Sequence, residues 1–154
     1  MCNIMLMVYG TLQNDFGNSR FCQSCLSVEA ATVCGRIYQL PAGYPVLLVP
    51  AENILAEGTR SPSKDTQTQF DVNFGHVDWR MPGGWYEVYG ELVTFGDPER
   101  ELPPIDRLES VPFYYLRVLV PVRRATGDII AAWVYIMNKV PPGAKLITSG
   151  RWPE

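Results

Sequence analysis

Two apolar runs, Phe113–Arg124 and Ile129–Asn138, flank the tetrapeptide Ala125-Thr126-Gly127-Asp128. Both runs are rich in β-branched and aromatic residues, and the spacer has turn chemistry, so the pair reads as a β-hairpin. Ile4–Tyr9 is apolar on both faces and reads as a fully buried strand that stops at Gly10. Thr32–Leu40 and Tyr44–Val49 are strand candidates separated by the turn signal Pro41-Ala42-Gly43, and Trp85–Phe95 is another. Leu102, Ile105 and Leu108 recur at every third position, as on one face of a short helix, with Pro103 and Pro104 expected in its first turn. A second short helix is expected around Ser19–Ala30. Strands outnumber helices and the pairing is expected to be largely antiparallel. The predicted class is α+β, a small, mixed, mostly antiparallel barrel-like domain with a few short helices.

One segment departs from this pattern. From about Ala51 to Gly84 the chain is polar and shows no sustained period, with Ser61-Pro62-Ser63 and Pro82-Gly83-Gly84 inside it. It is expected to be a long loop, acting as a lid or a partner surface. Its His76 reads as an incidental loop histidine rather than a second base. With no repeat and no linker visible, residues 1–154 are expected to form a single domain carrying this polar insertion at 51–84.

Composition narrows the function classes. Hydrophobic residues are 47 % and charged residues 19 %, which is globular rather than disordered composition. Thirteen basic against sixteen acidic side chains leave a formal charge of −3. That argues against a nucleic-acid partner and against an anionic membrane surface. The longest apolar run, Ile129 to Met137, is too short to span a bilayer as a helix. Residues 1–4 lack the basic start of a secretory signal, so a cytoplasmic location is expected. The cysteines at 2, 22, 25 and 34 are then expected to be reduced. Cys22-x-x-Cys25 stands open between buried thiols and a metal or redox pair.

Three segments have the residue types for chemistry, and each admits two readings. Val8-Tyr9-Gly10-Thr11-Leu12 runs from a buried strand into a glycine; it either ends the strand or exposes successive N–H groups to an anion or oxyanion. Ile105-Asp106-Arg107-Leu108-Glu109 sets Glu109 at the negative end of a helix dipole. It is either a solvated acidic terminus or a carboxyl with a raised pKa, to which the charge of Asp106 one turn earlier would add. Strand alternation puts Tyr115 and Arg117 on one face, and Trp133 and Tyr135 on one face of the next strand. Those faces line an amphipathic pocket or form a core whose hydroxyls reach the surface.

Tyr9-Gly10-Thr11-Leu12, Gly35–Pro41, Val88-Tyr89-Gly90-Glu91-Leu92, Asp106-Arg107-Leu108-Glu109 with Tyr115 and Arg117, and Trp133-Val134-Tyr135 follow one another in a fixed order. Together with Ser149-Gly150-Arg151-Trp152, they resemble the blocks of the γ-glutamylcyclotransferase-like superfamily, which includes the AIG2-like proteins. The resemblance covers most of the chain outside 51–84. It implies the barrel-like α+β fold and a cofactor-independent cyclisation, in which a γ-glutamyl amine or γ-glutamyl amino acid becomes 5-oxoproline plus free amine. It implies Glu109 as general acid/base, and Tyr9, Gly10, Thr11, Leu12, Tyr115 and Tyr135 as substrate-binding residues. No metal is implied. The expected partner is the small-molecule substrate alone, with the protein a monomer or weak homodimer. Glu91 is the rival acid, read as structural beside Gly90, where another backbone can approach closely.

The chain also departs from the family pattern. Ser110 stands where relatives usually have glycine after the glutamate, and Gln13 where many carry a basic residue. It lacks the tryptophan that follows the strand motif in the glutathione-specific branch, which disfavours glutathione as substrate. The alternative expectation is a non-catalytic ligand-binding or regulatory module of the same fold.

Overall fold

The computed structural model describes residues 3–9, 25–108 and 115–152. Within them run β1 (Ile4–Val8), β2 (Ser27–Gln39), β3 (Pro45–Leu48), a 3-10 turn at Ala51–Asn53, β4 (Ala56–Glu57), α1 (Pro62–Phe74) and β5 (Tyr86–Phe95). They are followed by α2 (Pro98–Leu108), β6 (Leu116–Arg124), β7 (Ile129–Ile136) and β8 (Lys145–Leu146). Five strands close on themselves in the order β2-β5-β1-β7-β6, with β6 returning to β2 through Ala31↔Arg124 and Val33↔Val122. All of these pairs are antiparallel except β1 with β7, which run parallel through Leu6↔Trp133 and Met7↔Val134. The α+β barrel expected from the sequence is the fold observed.

Alternation along the strands makes two apolar layers. Met7, Val33, Val88, Leu92, Val118, Val120, Ala132 and Val134 come from all five barrel strands and contact one another, so they fill the interior. Ile4, Leu6, Leu119, Ala131, Trp133 and Tyr135 point outward and meet Leu102 and Ile105 of α2. Gly90 is required where β5 meets the end of β1, because a Cβ there would stand 2.1 Å from the Val8 carbonyl oxygen. Between its pairings with β4 and with β2, β6 carries Pro121, which has no N–H to leave unpaired at the changeover.

Several local expectations are corrected. Of the helix expected around Ser19–Ala30, residues 19–24 lie outside the described residues and Ser27–Ala30 is strand, because it pairs residue for residue with Glu91–Thr94 of β5. Its helix-tolerant Glu29-Ala30-Ala31 is overridden by that long ladder. The helix around Leu102 begins earlier, at Pro98, and Asp97 caps it by accepting from the Arg100 N–H at 3.3 Å. Pro103 and Pro104 therefore lie inside it rather than in its first turn. The segment 51–84 is not a long loop. It folds as the 3-10 turn, β4 on the edge of β6, and the 13-residue helix α1.

α1 is unusual in what it buries: Pro62, Asp65, Thr66 and Gln69 face inward, while Phe70 and Phe74 are exposed. Its inward amides are saturated by strand backbone. Gln69 accepts from the Met5 N–H at 2.8 Å and donates to the Asn3 carbonyl at 3.0 Å. One turn on, Asn73 accepts from the Ala131 N–H at 2.7 Å and donates to its carbonyl at 3.0 Å. These two side chains satisfy β1 and β7 just before the point where the two strands pair directly.

Candidate active site

The end of the barrel where β1 and β7 finish carries most of the residues singled out from the sequence. Because β1 and β7 are parallel, Tyr9 and Tyr135 leave at the same end, and the antiparallel β6 brings its start there too. Tyr9 is buried and its hydroxyl donates to the Tyr135 carbonyl at 2.6 Å. The Tyr135 hydroxyl donates to Asp106 Oδ1 at 2.7 Å. Tyr115, also buried, donates to the Pro45 carbonyl at 3.1 Å. Glu91 lies across from Val8 on β5 and is half-buried. Gly10, Thr11, Leu12 and Glu109 lie outside the described residues, as do Gln13, Ser110, Cys2 and Cys22.

On the outer side of this end, under the helices, is a buried cation. Arg117 projects from the outer face of β6 beneath both helices. Its Nε and one terminal nitrogen donate to Asp106 Oδ1 and Oδ2 at 3.0 and 2.9 Å, a bidentate pair. The other terminal nitrogen donates to Asp65 Oδ2 at 2.5 Å, and a further bond reaches the Thr59 carbonyl at 3.1 Å. Asp65 is otherwise held by the Thr59 N–H and hydroxyl, the latter at 2.8 Å. Gly58 passes so close that a Cβ would stand 2.5 Å from the guanidinium. Burial acts to lower the arginine's pKa, but hydrogen bonds and charge from Asp106, with Tyr135 and Asp65 adding, raise it above the ordinary value. It is therefore a permanent cation.

The Asp106 carboxylate is not a bare charge: the Arg117 fork and the Tyr135 hydroxyl engage both its oxygens. Sequence reasoning missed this pair as well as Thr59 and Asp65. One signal was available: Arg117 is the only charge in the otherwise apolar run Leu116–Val122, and a charge in a buried strand needs a partner.

Elsewhere, His76 and Asp78 pair at 2.6 Å, largely exposed, past the far end of α1. They border a cleft of about 130 Å³ with Val72, Val77 and Pro121, away from the tyrosines. Cys25 and Cys34 are free thiols. Burial pushes the Cys34 thiol up to about 11, with the Glu52 charge adding. Among the described residues no cluster of metal-ligating side chains occurs and no helix is long and apolar enough to cross a membrane.

The chain is a small α+β protein: a closed mixed barrel with two helices converging on one buried arginine. Similar solved structures include YkqA from Bacillus subtilis, 24 % identical with a TM-score of 0.55, matching 97 % of this chain but 39 % of that one. An AIG2-like protein from Mus musculus is 19 % identical with a TM-score of 0.53, over 92 % of this chain and 82 % of that one. The uropathogenic Escherichia coli protein c4763 is 16 % identical with a TM-score of 0.56, over 99 % and 94 %. The chain thus spans about two fifths of YkqA and most of the other two. No curated protein matches it in sequence. The model of the family described as gamma-glutamyl cyclotransferase, AIG2-like, matches residues 6–71 and 71–154, and the chain belongs to that family.

Proposed function

We propose that this protein is a cyclotransferase that converts a γ-glutamyl amine or γ-glutamyl amino acid to 5-oxoproline and the free amine, with Glu109 as its general acid/base. The supporting observation is convergence. Tyr9, Tyr115 and Tyr135 lie at one barrel end, Tyr9 in the interior layer and the other two in the outer one, and α2, whose last residue precedes Glu109, is tied to that end through Asp106.

The reaction is a ring closure. The substrate's α-ammonium gives a proton to the Glu109 carboxylate, and the freed nitrogen attacks the γ-carbonyl carbon. A tetrahedral oxyanion forms, and the backbone N–H groups after Tyr9 are its natural donors. The amide C–N bond then breaks as Glu109 gives its proton to the leaving nitrogen. The ring nitrogen, cationic after its attack, passes its extra proton through the regenerated Glu109 carboxylate to the departing amine, which leaves as an ammonium. One carboxyl serves each transfer when its pKa is near neutrality. Holding the γ-glutamyl chain folded removes much of the entropic barrier. Tyr115 and Tyr135, whose hydroxyls donate to the Pro45 carbonyl and to Asp106, are the substrate-binding tyrosines of this reading.

The test is a mass-spectrometric screen of γ-glutamyl compounds for 5-oxoproline, with Glu109→Gln alongside. Release by the wild type and a loss of at least about 100-fold in the variant are expected. Binding of such compounds without any release would favour the non-catalytic module that Ser110 suggests. Full turnover by Glu109→Gln would remove that residue from the proton path.

A further inference from the structure

We propose that Asp65 and the Gly58-Thr59 turn are positioning residues for the reaction: through Arg117 they fix Asp106, and with it the last turn of α2 leading into Glu109. This inference rests on the cyclotransferase reading. It assigns a role to a segment that the sequence marks only as a polar stretch.

α2 is weakly joined between its first turn and its last. Pro103 and Pro104 cannot donate to the carbonyls of Glu99 and Arg100, so two consecutive helical bonds that would tie the last turn to the start of the helix are missing. What fixes the turn is side-chain anchoring: Leu102 and Ile105 against the barrel, and Asp106 on Arg117 and Tyr135. A long, flexible arginine holds a carboxylate in one place only if its guanidinium is itself immobile. Here the fork is locked from the opposite side by Asp65 and the Thr59 carbonyl, and Gly58 closes over it. Asp65 is in turn oriented by the Thr59 N–H and hydroxyl. The chain of contacts is continuous from Thr59 to Asp65, to Arg117, to Asp106, one turn before Glu109. Misplacing a catalytic group by about 1 Å can cost roughly 100-fold in rate, so this anchoring bears on turnover.

The test compares Asp65→Asn, Thr59→Val, Asp106→Asn and the double variant Asp65→Asn/Asp106→Asn with wild type on a γ-glutamyl substrate. Asn73→Ala is the control, because it loosens α1 from Ala131 without touching Arg117. Asp65→Asn is expected to lower kcat at least about tenfold with KM changed less than threefold, and Thr59→Val, the milder change, to lower kcat in the same sense. The double variant should be no slower than Asp106→Asn alone, since both act through one arginine. Asn73→Ala should lower the melting temperature while leaving kcat within twofold. Unchanged kcat in both Asp65→Asn and Thr59→Val, multiplicative losses in the double variant, or equal losses in Asn73→Ala would each overturn the inference while leaving the cyclotransferase reading intact. Absence of turnover by wild type would overturn both.

Discussion

Replacing Arg117 with methionine removes one cation from between two carboxylates, and the consequence depends on how buried each is. The Asp65 and Arg117 side chains are 1 % exposed, whereas Asp106 is 22 % exposed. Asp106 can recruit water when the arginine leaves. Asp65 cannot, and keeps only its bonds from Thr59. Breaking a buried ion pair from one side costs about 3–5 kcal/mol, most of it from the stranded charge. At roughly 2–4 °C per kcal/mol for a chain of this size, the melting temperature should fall by about 6–20 °C. The sharper expectation is a reversal of sign. In wild type, Asp65→Asn removes a charge-assisted bond and should cost about 1.5–3 kcal/mol. In the Arg117→Met background the same change removes the stranded charge and should restore about 1–3 kcal/mol. Thermal unfolding of the four proteins, followed by circular dichroism at pH 7, measures all these values. If Asp65→Asn lowers the melting temperature in both backgrounds, the triad is not the closed electrostatic unit described here.

Two further outcomes follow from backbone and thiol environments. Gly90→Ala places a methyl 2.1 Å from the Val8 carbonyl, a contact with backbone that cannot rotate away. It should destabilise by about 3 kcal/mol or more, and a melting temperature within 2 °C of wild type would show that β1 and β5 can separate there. Cys34 shifts from 9.0 to about 11 in the folded protein because its thiolate is costly to bury. Its folded pKa lies above the unfolded one, so its contribution is intact below pH 9 and is lost as pH rises toward 11. The loss should approach about 2–3 kcal/mol. Urea unfolding of wild type and Cys34→Ala from pH 8 to 11 should show this component only in wild type.

The barrel was legible because its strands obey simple patterning. The runs at Ile4, Trp85, Leu116 and Ile129 are apolar enough that any fold must bury them, and Gly127 marks the hairpin with a positive φ of 94°. Ser27–Ala30 was misread because its local preference is weak and a partner sixty residues distant decides the outcome. α1 escaped for the opposite reason: its period is present but inverted. A helix is recognised by an apolar inward stripe, and this one turns Asp65, Gln69 and Asn73 inward and its two phenylalanines outward. Polar residues are stable there because each meets a specific partner, and those partners belong to strands and to an arginine far along the chain. Periodicity carries no information about such pairings.

The same inversion explains why the site was only partly readable. Tyr9, Tyr115 and Tyr135 sit on strand ends, which the parallel β1–β7 pair and the antiparallel β6 bring to one end of the barrel. Arg117 has the same alternation, but its meaning depends on Asp65, 52 positions away, and on Asp106, 11 away. An apolar core would have held the helices on the barrel with less precision about where α2 ends. A bidentate fork fixes distance and direction together, and it loses its energy when displaced by a fraction of an ångström. A buried ion triad adds little net stability over well-packed hydrocarbon, so stability alone does not account for three charges beneath two helices. Directional anchoring of Asp106 in the last turn of α2 is what such an arrangement supplies and hydrocarbon does not.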